Sequence, residues 1–262
     1  MPIHGKIMRS GRTLRHLPAS VICRDSCHLR YAWVMNTVIP SPAQPSIPVA
    51  GRTGRFPVRR VFCIGRNYAD HAREMGATVD KANPMFFTKP ADALVTDGAD
   101  VPYPSVTKDL HHEVEMVVAL GAGGSDLSVE QAAGIVWGYG VGLDLTRRDL
   151  QADAKAKGAP WDAAKAFDHS APVSALVPVA EAKLTSATVI SLEVNGQSRQ
   201  SATLGDMILD VPEILSALSK LFELKAGDII YTGTPAGVSA LKQGDTFHAS
   251  LEGVATLDGR VV

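Results

Sequence analysis

Glu113 and Glu115 stand two residues apart in Glu113-Val114-Glu115-Met116-Val117-Val118-Ala119-Leu120, the run that most constrains this chain. Its β-branched and apolar residues are those that fill strands. Residues two apart on a strand point to the same face, so both carboxylates share one side. A third carboxylate, Asp144, ends the glycine-punctuated run Val141-Gly142-Leu143-Asp144. Three carboxylates meeting at one point repel unless positive charge sits between them. A divalent cation with hard oxygen ligands answers that need. On spacing alone a solvated strand face is the plainer reading, and only the neighbouring motifs tell against it.

At 262 residues and net charge −1, the chain offers no electrostatic case for binding nucleic acid or an acidic membrane. No apolar run approaches the roughly 18 residues that cross a bilayer. Three cysteines, Cys23, Cys27 and Cys63, suggest reduced thiols and a cytoplasmic protein rather than a disulfide framework. Residues 1–34 carry Lys6, Arg9, Arg12, Arg15, Arg24 and Arg30 against the single acid Asp25. They remove five positive charges from the net −1 and leave the remainder at −6. Such a segment reads as disordered: an over-extended frame preceding a start at Met35, or an organellar transit peptide. Residues 35–57 form a proline-rich, polyproline-like arm, and 58–262 a single catalytic domain.

Short strand signals dominate from Val58 onward: 58–64, 85–89, 113–120, 135–143, 228–231, 246–251 and 253–257. Asn195-Gly196 marks a hairpin turn. Helices are expected over 68–75, with Asn67 as N-cap and Gly76 as stop, and over 128–133 and 146–157. Another is expected over 211–222, with Ile214, Leu215, Leu218, Leu221 and Phe222 on one stripe. Many short strands and few helices give a β-rich α+β fold.

Several groups could carry chemistry. Arg148 and Gln151 lie four and seven residues after Asp144, one face of a helix, suited to an anionic keto-bearing ligand or to an ordinary charged surface. His71 and Glu74 are helix neighbours. A carboxylate beside an imidazole makes a general base that can activate water, though such pairs are commonly surface contacts. The flanking glycines make this short helix a candidate lid. Lys89 and Lys165 sit among apolar residues, so each must meet an anion, structural or substrate. Gly233 and Thr234 belong to a glycine-rich turn whose N–H groups can hold a carboxylate or oxyanion. Gly138-Tyr139-Gly140-Val141-Gly142 is a weak nucleotide signal, since no strand–turn–helix unit surrounds it.

Taken in order, 65–75, 87–90, 110–115, 143–151, 158–167 and 232–237 resemble the fumarylacetoacetate hydrolase family over about residues 58–262. Within it the chain is most similar to acylpyruvases, in particular fumarylpyruvate hydrolases. The resemblance implies a mixed β-sandwich roll, a homodimer, and Mg²⁺ or Mn²⁺ held by Glu113, Glu115 and Asp144. It also implies His71 and Glu74 as the water-activating pair, with Lys89, Gln151, Lys165 and Thr234 at substrate-contacting or oxyanion-stabilising positions.

The expected activity is metal-dependent C–C hydrolysis of a 2-oxo acid, fumarylpyruvate to fumarate and pyruvate. Oxaloacetate decarboxylation, or isomerisation or decarboxylation of a homoprotocatechuate-pathway intermediate, is the alternative within the family. A non-catalytic, metal-dependent carboxylate binder is the distant one. For the far carboxylate of such a substrate, Arg66, Arg147 and Lys89 are equally eligible from sequence.

Overall fold

The computed structural model describes residues 37–74, 76 and 80–262. The expectations for residues 1–34 lie outside these. The chain divides into two units, 1–42 and 43–262. In the first, described residues 37–42 form no helix or strand.

The second unit opens with β1 (Ser46–Pro48) and β2 (Arg55–Pro57), an antiparallel pair. Where the sequence sets 35–57 apart as an arm, residues 43–57 fold into the same unit as all that follows. Ile47, Val49 and Phe56 give the stretch an apolar face, and all three are buried. Gln44 Nε2 fastens it by donating to the Val58 carbonyl at 2.7 Å.

Then come β3 (Arg60–Gly65), α1 (Ala69–Glu74), β4 (Met85–Lys89), β5 (Val114–Leu120), α2 (Val129–Ala133) and β6 (Val136–Leu143). They are followed by α3 (Arg148–Lys157), α4 (Asp162–Lys165), β7 (Val177–Pro178), β8 (Val189–Val194) and β9 (Gln197–Thr203). The chain finishes with α5 (Val211–Leu221), β10 (Asp228–Tyr231), β11 (Thr246–Leu251) and β12 (Ala255–Arg260). A six-stranded sheet runs in the order β7-β6-β5-β10-β3-β4, and an antiparallel four-stranded sheet in the order β9-β8-β11-β12. In the larger sheet β10 and β3 are parallel, while the other neighbours are antiparallel. The architecture is the β-rich α+β fold read from the sequence.

Strand β5 is buried at every position. Val114, Met116, Val118 and Leu120 enter the main core with Phe62, Ile230 and the α5 residues Ile214, Leu215 and Leu218. Val117 and Ala119 face the other way, into a second core with Ile47, Phe56, Val61, Cys63 and Tyr231. Burying one such Val or Leu side chain contributes about 1.5–3 kcal/mol, so covering both faces fixes the register firmly.

Three local expectations change. Thr146 and Arg147 form a short strand pairing with Leu110 and His111, so the helix begins only at Arg148. Asn67 does not cap α1; its side chain instead bonds the Leu209 amide and the carbonyls of Leu209 and Thr232. Leu221 and Phe222 leave the buried stripe because the chain turns extended at Phe222, whose ring packs against Phe62 with centroids 5.1 Å apart. Among the described residues, no helix is long and apolar enough to cross a membrane.

Candidate active site

The β5–β6 register assembles the three carboxylates. Val114 pairs with Leu143 and Glu115 with Gly142, while the Asp144 N–H donates to the Glu113 carbonyl at 2.8 Å. Asp144 thus lies across from Glu113, and directly opposed residues share a face. Oxygens of Glu113, Glu115 and Asp144 lie within 4.8 Å of one another. All three side chains are buried, which rules out the solvated strand face. The glycine at position 142 is required: a Cβ there would sit 2.7 Å from the Pro172 carbonyl oxygen and 2.8 Å from Tyr231 Cε1. The glycine run is therefore a packing surface, not a nucleotide loop.

Cations converge on this face. Lys165, at the end of α4, places Nζ 2.7 Å from Glu113 Oε2 and 2.6 Å from Asp144 Oδ2. Arg148, first residue of α3, donates to Glu113 Oε1 at 2.5 Å and to Gln151 Oε1 at 2.7 Å. Burial works against the Glu113 charge, yet Lys165 and Arg148 hold its carboxyl well below the usual range. Burial also opposes the Lys165 ammonium, but Asp144 and Glu113 keep it protonated.

Glu115 has no such partner. Its Oε2 accepts the Gly233 N–H at 2.7 Å, and no cationic side chain pairs with it among the described residues. Burial first, then the charges of Asp144 and Glu113, push its carboxyl well above the usual carboxylate range. Asp144 Oδ1 is also left without a hydrogen bond, its near cation being Lys89 with Nζ 2.8 Å away. An under-compensated carboxylate beside an orphaned carboxylate oxygen, in an all-oxygen donor set, fits a hard divalent cation such as Mg²⁺ or Mn²⁺.

His71 and Glu74 lie on one side of α1, with Nδ1 3.4 Å from Glu74 Oε2. Burial lowers the His71 pKa below that of a free imidazole, with Glu113 and Glu74 opposing. The Gly237 N–H reaches both Glu74 oxygens, at 3.2 and 3.3 Å. One glycine-rich turn therefore holds Glu115 at its start and Glu74 at its end.

A pocket of about 420 Å³ brings together Arg66, His71, Glu113, Glu115, Asp144, Arg148, Gln151, Lys165 and Thr234. Glu74 touches it through His71. Two residues expected there are placed otherwise. Lys89 is wholly enclosed, paired with Asp144 and donating to the carbonyls of Leu145 and Lys165, so it supports the site from behind. The Gly233 N–H is spent on Glu115 and has no hydrogen left for a ligand.

Sequence reasoning missed Gln200, which lies in an otherwise polar hairpin strand with no distinguishing signal. Its Oε1 accepts from Val114 N and His112 Nδ1, and its Nε2 donates to Thr234 Oγ1 and the Pro235 carbonyl. It ties the start of β5 to the glycine-rich turn. Burial drives the His112 pKa down to about 4, so this imidazole is neutral. It also missed Lys155 and Trp161, which line the same pocket. The i, i+7 spacing of Arg148 and Lys155 was the available signal for Lys155.

The fumarylacetoacetate (FAA) hydrolase C-terminal model matches residues 60–262. The rat protein named oxaloacetate tautomerase FAHD1, mitochondrial, is 42% identical over 203 residues, 78% of this chain and 91% of its own. Oxaloacetate tautomerase YcgM of Escherichia coli (strain K12) is 43% identical over 199 residues, 76% of this chain and 90% of its own. The crystal structure of fumarylpyruvate hydrolase from Pseudomonas aeruginosa in complex with Mn²⁺ and pyruvate aligns with a TM-score of 0.84. It is 45% identical and covers 87% of this chain and 99% of that one. A putative fumarylpyruvate hydrolase from Burkholderia cenocepacia aligns with a TM-score of 0.81 at 51% identity, covering 87% and 98%. The match across every strand of the six-stranded sheet, together with relatives above 40% identity, places this chain in the fumarylacetoacetate hydrolase family.

Proposed function

We propose that this protein hydrolyses the C–C bond of an acylpyruvate, fumarylpyruvate being the best-supported substrate. The observation that carries the reading is one pocket lined by a buried carboxylate triad fit for a divalent cation and by His71, whose ring is backed by Glu74. Similarity to a fumarylpyruvate hydrolase crystallised with Mn²⁺ and pyruvate, and to a putative fumarylpyruvate hydrolase, supports it.

Glu113, Glu115 and Asp144 would hold the ion. When bound, it supplies Lewis acidity to the carboxylate and 2-oxo group of the substrate. Glu74 fixes the His71 tautomer by accepting from Nδ1–H, which leaves Nε2 as the proton acceptor. His71 takes a proton from water as the water oxygen attacks the distal acyl carbonyl carbon. Lys165 and Gln151 offer N–H donors to the oxyanion that forms there. The bond between that carbon and the pyruvyl methylene then breaks, and its electron pair moves into the pyruvate enolate. The proton held by His71 returns to the methylene carbon, giving fumarate and pyruvate.

A second reading, oxaloacetate tautomerisation, is favoured by the names of the rat and E. coli relatives. It moves one proton between carbon and oxygen and needs no water attack. The deciding experiment incubates purified protein with Mg²⁺, Mn²⁺ or chelator against fumarylpyruvate, acetylpyruvate and oxaloacetate. Metal-dependent release of pyruvate from the acylpyruvates supports hydrolysis. Enol–keto conversion of oxaloacetate without acylpyruvate cleavage would replace it with tautomerisation.

A further inference from the structure

The charges around the pocket do not balance. Four cations line it, Arg66, Arg148, Lys155 and Lys165, against three carboxylates. Arg148 and Lys165 are paired with Glu113 and Asp144, whereas no carboxylate among the described residues pairs with Arg66 or Lys155. A divalent cation on the triad would add two further positive charges. One carboxylate and one polarised keto oxygen of a 2-oxo acid leave that surplus only partly neutralised. A ligand with a second carboxylate answers it.

The structure also separates the three cations equally eligible from sequence. Lys89 is enclosed behind Asp144. Arg147 lays its guanidinium over the Phe167 ring, 4.3 Å from the centroid, donates to the Ala163 carbonyl, and does not line the pocket. Arg66 lines the pocket and also a second cavity of about 410 Å³, which shares Ile64, Gly65 and Met85 with the first. It thus stands on the partition between the two. Arg66 is held at φ 63°, a left-handed conformation costly for a residue with a side chain. The buried Asn67 side chain, locked to Leu209 and Thr232, keeps the turn in place. Lys155 is close by: burial lowers its pKa most, and then Arg148 and Arg66.

We infer that Arg66, seconded by Lys155, is the specificity residue that grips the far carboxylate of a dicarboxylic 2-oxo acid. The inference rests on the site taking 2-oxo acids, as proposed above, but not on the C–C bond being cleaved.

The test uses the Mn²⁺-loaded protein and two unreactive probes of equal chain length, 2-oxoheptanedioate and 2-oxoheptanoate, which differ only in a terminal carboxylate or methyl. By titration calorimetry the wild type should prefer the diacid by about tenfold or more, the size of one charge-assisted contact. Arg66→Gln should erase most of that preference while still binding 2-oxoheptanoate, which also reports an intact fold. Arg66→Lys should keep part of it, and Lys155→Gln should weaken it less than Arg66→Gln. No wild-type preference, binding of neither probe, or equal loss for both probes in Arg66→Gln would overturn the inference. Failure of fumarylpyruvate cleavage with the preference intact would sink the hydrolase reading and leave Arg66 standing.

Discussion

Lys165 and Glu113 lie 52 residues apart in the chain, yet Nζ and Oε2 meet at 2.7 Å with both side chains almost fully buried. The same ammonium touches Asp144, so one positive charge bridges two of the three carboxylates. Breaking a buried pair strands the remaining charge, at a typical cost of 3–5 kcal/mol. Lys165→Met should therefore destabilise the metal-free protein by about 3 kcal/mol, the lower end of that range, because Arg148 and Lys89 still compensate. Urea unfolding in chelator measures the loss. Added Mn²⁺ should recover more stability in the variant than in the wild type.

Glu115→Gln removes a donor oxygen and keeps the shape. Mn²⁺ affinity should fall at least tenfold by calorimetry, and turnover should vanish at metal concentrations that saturate the wild type. An unchanged Mn²⁺ isotherm would show that the cation binds elsewhere. In the wild type, chelation should abolish activity and readdition of Mg²⁺ or Mn²⁺ should restore it.

His71→Gln should retain Mn²⁺ binding and slow hydrolysis by about 10²–10⁴-fold. The pH profile follows from the direction of the His71 shift. Burial depresses its pKa below the ordinary 6.5, and the base must be neutral to accept a proton. Activity should therefore persist below pH 6.5 and fall as pH drops through the depressed value. That acid limb should be missing from the residual activity of the variant.

Gln200 makes four buried hydrogen bonds with one carboxamide. Gln200→Ala leaves the Val114 N–H and the Pro235 carbonyl without that partner. Each unsatisfied buried group costs about 1–3 kcal/mol, so a loss of at least about 2 kcal/mol is expected in urea unfolding. The turn carrying Thr234 should loosen with it, raising KM more than it lowers kcat.

Local signals made the strands and the carboxylate triad readable. Val114 to Leu120 carries strand-forming side chains, and Glu113, Glu115 and Asp144 flank or interrupt apolar runs that must be buried. Their convergence depends on the β5–β6 register, which no local pattern reveals and which two buried faces impose. Lys89 and Lys165 illustrate the limit. Both are lysines in apolar surroundings, yet strand β4 sends one behind Asp144 while α4 delivers the other to the pocket. Asn67 likewise has the side chain of a helix cap and spends it on partners 142 and 165 residues away. Gln200 was illegible because its importance lies wholly in whom it meets.

The turn from Thr232 to Gly237 gives one backbone amide to Glu115 and another to Glu74. One carboxylate of the ion-holding set and the partner of the proton acceptor are thereby tethered to the same short length of chain. The β5–β6 register still sets where the carboxylates meet, and the turn links that set to α1. A displacement of that turn would therefore disturb Glu115 and Glu74 at once, coupling the grip on the ion to the orientation of His71.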